Sequence, residues 1–92
     1  MKVTLRFFAR FGELLGKSRV VDAPENTSLS DLIRDAASQN SEGYGSIFDE
    51  HGAFRDFVIL MRNGKRVPAA AADRTLLSEG DEVAVFPPVA GG

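Results

Sequence analysis

Only one stretch of this sequence, residues 28–37, carries the periodicity of an amphipathic helix long enough to cover a sheet. Leu29, Leu32, Ile33, Ala36 and Ala37 recur at i, i+3, i+4, i+7 and i+8, which makes one apolar face. Ser28 stands where an N-cap is needed, with Asp31 three residues on in an acidic variant of the capping box, and Asn40 reads as the stop. An apolar helix face must be covered, and the rest of the chain offers strands to cover it.

Val3, Leu5 and Phe7 alternate with Lys2, Thr4 and Arg6, so residues 2–8 predict a half-buried strand. Phe8 then places an aromatic on the polar face. Residues 9–16 predict a short helical turn closed by Gly16, and residues 18–23 a second short strand ended by Pro24-Glu25-Asn26. Residues 41–55, with Gly43, Gly45 and Gly52, read as an irregular loop from which Ile47 and Phe48 dip into the core. The run FVILMR at 57–62 predicts a strand buried on both faces or nearly so. Asn63-Gly64 follows, the strongest short hairpin signal because both positions accept positive φ. Lys65–Val67 returns as a strand that Pro68 ends, and the alanines at 69–72 read as a plain connection. Leu76 and Leu77 are expected to tuck inward before a turn at 78–81. The last strand is 82–86, with Val83 and Val85 on one face and Glu82, Ala84 and Phe86 on the other. Pro87-Pro88 stops pairing, since proline has no donor for a ladder.

One main helix with four or five strands gives an α+β layer, a mixed four- to five-stranded sheet wrapped over the helix. In such an arrangement the first strand lies mid-sheet, parallel to the last, which sets Phe8 beside Phe86. A chain of 92 residues makes one domain, here 1–87, followed by an expected flexible tail, 88–92, ending in Gly-Gly.

Conventional chemistry is scarce. The sequence has no cysteine, which excludes a disulfide scaffold, a zinc knuckle and a catalytic thiol together. The lone histidine, His51, sits among Asp49, Glu50 and Gly52 and reads as a solvated turn residue. No metal-binding histidine pair, nucleophile elbow or phosphate-cradling glycine loop occurs. The acidic pairs at 49–50 and 79–82 are expected to solvate turns. Eleven basic and 13 acidic residues are well mixed, with a net charge of −2 and no Lys/Arg run, so nucleic acid is not an expected partner. No apolar stretch approaches the roughly 18 residues of a membrane span. The expected location is the cytoplasm, and the free protein is expected to be a monomer.

The tail differs. Two prolines project it from the sheet, and residues 88–92 reach about 17 Å when extended. Gly91 and Gly92 remove side-chain obstacles around the final carboxylate and accept whatever φ/ψ a narrow channel imposes. Such a terminus suits entry into a partner enzyme, activation as an acyl-adenylate with ATP, and attack by a sulfur or amine nucleophile. Gly92 is then the reacting group and Gly91 the residue that gives access.

The ending VAVFPPVAGG resembles the C-terminus of the small subunit of molybdopterin synthase and related sulfur carriers, the MoaD/ThiS type. The opening LRFFARFGELLG is similar to the same family's first strand and turn. The middle, IFDEHGAFRDFVILMRNGKRV, looks more like the small archaeal modifier proteins. The resemblance covers nearly the whole chain. It implies a β-grasp (ubiquitin-like) fold, no catalytic residue or bound cofactor of the chain's own, and adenylation of Gly92 by an E1-like enzyme. It further implies one of two outcomes. A thiocarboxylate would supply sulfur to precursor Z of the molybdenum or tungsten cofactor, in complex with the large synthase subunit. Alternatively, the terminus would be joined to substrate lysines. Phe8 and Phe86 match positions of the family's docking surface, which Pro87, Pro88, Val89 and Ala90 would extend. Relatives often carry arginine where this chain has Gly12, so a contact from that side chain is not carried over. A different class stays open, a β-grasp interaction module whose diglycine is incidental.

Overall fold

The computed structural model describes residues 1–88, so the expectations for Val89, Ala90, Gly91 and Gly92 concern residues outside that range. Among the described residues, five strands form one sheet: β1 (Lys2–Phe7), β2 (Ser18–Asp22), β3 (Ile59–Arg62), β4 (Lys65–Val67) and β5 (Glu82–Phe86). Their order across the sheet is β2-β1-β5-β3-β4, with β1 and β5 parallel and the other neighbours antiparallel. Helices α1 (Ala9–Leu15), α2 (Leu29–Ala37) and α3 (Ser41–Ile47) complete the domain with a 3-10 helix at Ala69–Arg74. This is the mixed sheet over a main helix that the sequence predicts, with β1 next to the last strand.

The alternation of β1 and β5 turns Val3, Leu5, Phe7, Val83 and Val85 into the core, where they meet the apolar face of α2. That face is Leu29, Leu32, Ile33, Ala36 and Ala37, all buried as the periodicity requires. Ser28 caps α2 by accepting from the Asp31 N–H at 3.1 Å. The Asn63-Gly64 turn has φ of 51° and 79°, as its two residues allow.

Five local expectations need correction. Residues 41–47 are a helix, not loop. Asn40 starts it rather than only stopping α2, since its side chain accepts from the Gly43 N–H at 3.0 Å. Gly43 lies against Leu15, where a Cβ would come within 2.6 Å of a leucine methyl, so α3 packs closely on α1. Strand β3 begins at Ile59, and of its residues only Leu60 is fully buried, because among the described residues no helix covers the opposite face of the sheet. Phe57, assigned to that strand, is 80% exposed. Leu76 is half-exposed because it bridges Ser28 at the edge of α2, and Leu77 alone tucks inward. Alanines 69–72 open a 3-10 helix that buries Ala72 completely.

Asp81 corrects the fifth. It does not solvate its turn but lies 7% exposed, accepting from Arg62 Nε (2.9 Å), Asn63 Nδ2 (2.9 Å) and the Ser78 N–H (2.8 Å). Burial of the carboxylate works to raise its pKa, but the hydrogen bonds from Asn63, Ser78 and Arg62 outweigh this and hold it below the ordinary value. Asp81 thereby ties the β3–β4 hairpin to the start of β5, while its carbonyl accepts from Thr4 N–H of β1 at 2.9 Å. The register of the three central strands is fixed at that end, opposite to the end from which residues 87–88 leave.

Candidate functional site

The end of the sheet where β5 stops is built by three chain segments. Strand β1 finishes beside β5 with Phe7 opposite Val85, and β3 starts on the other side with Ile59 opposite Phe86. Phe8 is held extended at φ −108°, ψ 156°, and its N–H donates to the Val85 carbonyl at 3.1 Å, prolonging the parallel ladder by one residue. Its own carbonyl accepts from the Phe11 N–H at 3.1 Å and starts α1. Gly12 makes this turn possible. A Cβ there would sit 2.6 Å from the Phe7 carbonyl oxygen, so α1 lies directly on the end of β1 and no side chain, arginine included, fits at that position.

Phe8 and Phe86 are brought together as their register requires. Their ring centroids are 4.2 Å apart and the planes 11° from parallel. Neither ring stands free in solvent as the alternation alone suggests; each is half-buried, in part by the other. The guanidinium of Arg6 lies over the Phe8 ring, 4.9 Å from its centroid, and 3.6 Å from the Glu82 carboxylate.

The stacked pair forms one wall of an apolar groove of about 420 Å³. Pro87 and Pro88, both expected at the site, line it where the chain leaves the sheet. Three further lining residues are not identified from sequence: Ala9, Ile59 and Met61. The period-two signal for Ile59 and Met61 is hidden inside an unbroken apolar run, where both faces of the strand look alike. A larger cleft, about 540 Å³, lies between β2 and α2 and shares no residue with the groove; Asp22, Glu25, Asp31 and Asp35 give it an acidic rim.

Nothing on the described surface resembles an active site. His51 is exposed beside Glu50, and Asp49 is a turn residue whose carboxylate accepts from the N–H groups of His51 (2.8 Å) and Ala53 (3.1 Å). The Ala53 and His51 hydrogen bonds lower its pKa. Among the described residues no group of three or more His, Asp or Glu side chains is placed to hold a metal ion. Among the same residues no helix is long and apolar enough to cross a membrane.

Residues 5–92 match the ThiS family. The chain belongs to that family. Small archaeal modifier protein 3 of Haloferax volcanii is 33% identical over the full length of both chains. The molybdopterin synthase sulfur carrier subunit of Aedes aegypti is 37% identical, covering all of this chain and 90% of that one. The crystal structure of SAMP1 from Haloferax volcanii superposes with a TM-score of 0.86 at 25% identity, over the whole of both chains. The five-stranded sheet over α2 is thus the ubiquitin-like β-grasp of this ThiS-family chain, as the resemblance in its sequence implies.

Proposed function

We propose that this chain is a ubiquitin-like sulfur carrier whose Gly92 carboxylate is adenylated by an E1-like enzyme and converted to a thiocarboxylate for molybdopterin biosynthesis. The observation that carries this reading is the family match running through Gly91 and Gly92, on a segment rooted at the apolar groove. ATP is the partner's substrate and not a ligand of this chain. A Gly92 carboxylate oxygen attacks the α-phosphorus, pyrophosphate leaves, and a mixed anhydride results. A sulfur nucleophile then adds to the acyl carbon and AMP departs, leaving a C–S bond. The chain supplies no acid, base or metal to either step; it presents the carboxylate and binds the enzyme. The groove walled by Phe8 and Phe86 is the docking surface, used in turn by the activating enzyme and the large synthase subunit, in the cytoplasm.

A second reading is favoured by the full-length similarity to a small archaeal modifier protein. The same acyl-adenylate, met by a lysine amine of a substrate protein, gives an isopeptide bond to Gly92. The two uses are compatible because they diverge only after adenylation. Intact-mass measurement on protein from the native host separates them. One oxygen replaced by sulfur is the expected result for a carrier, and lysine-linked conjugates for a modifier. A population with neither would leave only an interaction module and sink both readings.

A further inference from the structure

Phe57 combines two unfavourable features. The Val58 N–H donates to the Arg55 carbonyl at 3.3 Å, closing a four-residue turn with Phe57 in its third position at φ 68°. Turns of that geometry take glycine or asparagine there, and a bulky side chain at positive φ is a strained outlier. The strain brings no burial, since the ring is 80% exposed. The turn itself is firmly held. Arg55 N–H donates to the Ile47 carbonyl at 2.8 Å, its side chain donates to the Gly45 carbonyl at 2.6 Å, and Phe54 packs on the buried Phe48 with centroids 4.7 Å apart. A folded scaffold thus holds an aromatic ring in water at a position where glycine or asparagine would sit more easily.

Its place in the sheet gives the exposure a direction. Because β3 runs antiparallel to β5 with Ile59 opposite Phe86, residues 57 and 88 lie at the same end of the sheet. Because β1 runs parallel to β5, Phe8 and Ala9 lie at that end too, on the other side of β5. Ala9 has φ 51°, so among the described residues the two at positive φ that are neither glycine nor asparagine flank the chain where it leaves the sheet. Backbone strain of this kind persists where function holds it in place.

We propose that Phe57 is a second anchor for the enzyme that adenylates the C-terminus, filling an apolar socket of that enzyme on the flank opposite the Phe8–Phe86 stack. The inference rests on the carrier reading above. Two contacts at the root of the departing chain, the groove and the turn that precedes β3, would set its direction as well as hold it.

The test is ATP–pyrophosphate exchange by the cognate activating enzyme against full-length carrier concentration, with Phe57→Asn, Phe57→Gly and Phe57→Leu. Asparagine and glycine suit the turn but remove the ring. Both are expected to raise the carrier's apparent KM about tenfold or more with kcat within about twofold. Both are also expected to keep or raise the Tm, because the strain is relieved. Leucine keeps apolar bulk and is expected to retain most of the affinity. Wild-type saturation by the asparagine and glycine variants would overturn the proposal, as would a lowered Tm in both, which would make Phe57 a structural residue. Deleting Gly92 in parallel keeps the two ideas apart. Exchange that survives the deletion refutes the carrier reading; exchange that the deletion abolishes but Phe57→Asn leaves intact refutes the anchor alone.

Discussion

Phe8 and Phe86, 78 residues apart in sequence, stack with ring centroids 4.2 Å apart because the parallel register of β1 and β5 places them side by side. The pair closes one wall of the groove at the root of the C-terminal segment. Half-buried aromatics at the centre of an interface lose contact on truncation that no neighbour replaces. Phe86→Ala is therefore expected to weaken binding to the activating enzyme about tenfold or more by calorimetry. The folding cost should stay near about 1 kcal/mol, the value of a stacked pair with some lost burial. Normal binding by a strongly destabilised variant would place Phe86 in the core instead.

Deletion of Gly92 removes the proposed reacting carboxylate from its place. The core runs from Val3 to Val85, so the melting temperature should be nearly unchanged. Pyrophosphate exchange with the cognate enzyme should disappear. Full exchange by the truncated chain would refute the role of Gly92.

Leu32 is 2% exposed on the face of α2 that covers the sheet. Leu32→Ala should cost about 2–5 kcal/mol in a denaturant titration, through lost transfer free energy and the cavity left behind. A cost under about 0.5 kcal/mol would be a surface value and would contradict the packing of α2.

Gly12→Ala should fail for a steric reason. Its Cβ would sit 2.6 Å from the Phe7 carbonyl oxygen, backbone that cannot yield without moving α1 off β1. Overpacking of this kind costs about 1–3 kcal/mol. Because Phe8 caps α1, the same change should also disturb the Phe8 ring signals in NMR; a spectrum and a Tm like those of the wild type would count against this account.

Asp81 gives the stability a dependence on acid. Its pKa is lower in the folded chain than in the unfolded one, so the unfolded state binds the proton more readily. The contribution is present above the unfolded value of about 3.9 and is lost as pH falls through the lower folded value. Asp81→Asn should lose about 1–3 kcal/mol at neutral pH, because the three donors around it then face an amide. The variant's acid unfolding should be shallower below about pH 4. An unchanged acid limb would show that other carboxylates set it.

What the sequence by itself determined was whatever a short window of residues can encode. The alternation of Val3, Leu5 and Phe7, the apolar face of α2 with its Ser28 cap, the Asn63-Gly64 turn and the pairing-breaker Pro87 each act within a few residues, and together they leave little but a sheet over one helix. The apolar groove was legible in half: Phe8 and Phe86 stood out because each broke an alternation. The rest required the folded chain, because its causes lie far apart in sequence. Helix α3 forms through glycines of poor helix propensity because Asn40 caps it and Leu15 packs against Gly43. Asp81 is buried because Arg62 and Asn63, on the facing hairpin, supply its donors. Ile59 and Met61 enter the groove because one face of β3 meets the core and the other, among the described residues, meets no helix, a distinction an unbroken apolar run cannot carry. Phe57 read as strand because its side chain prefers one; the turn anchored by Arg55 overrode that preference and held the ring in solvent.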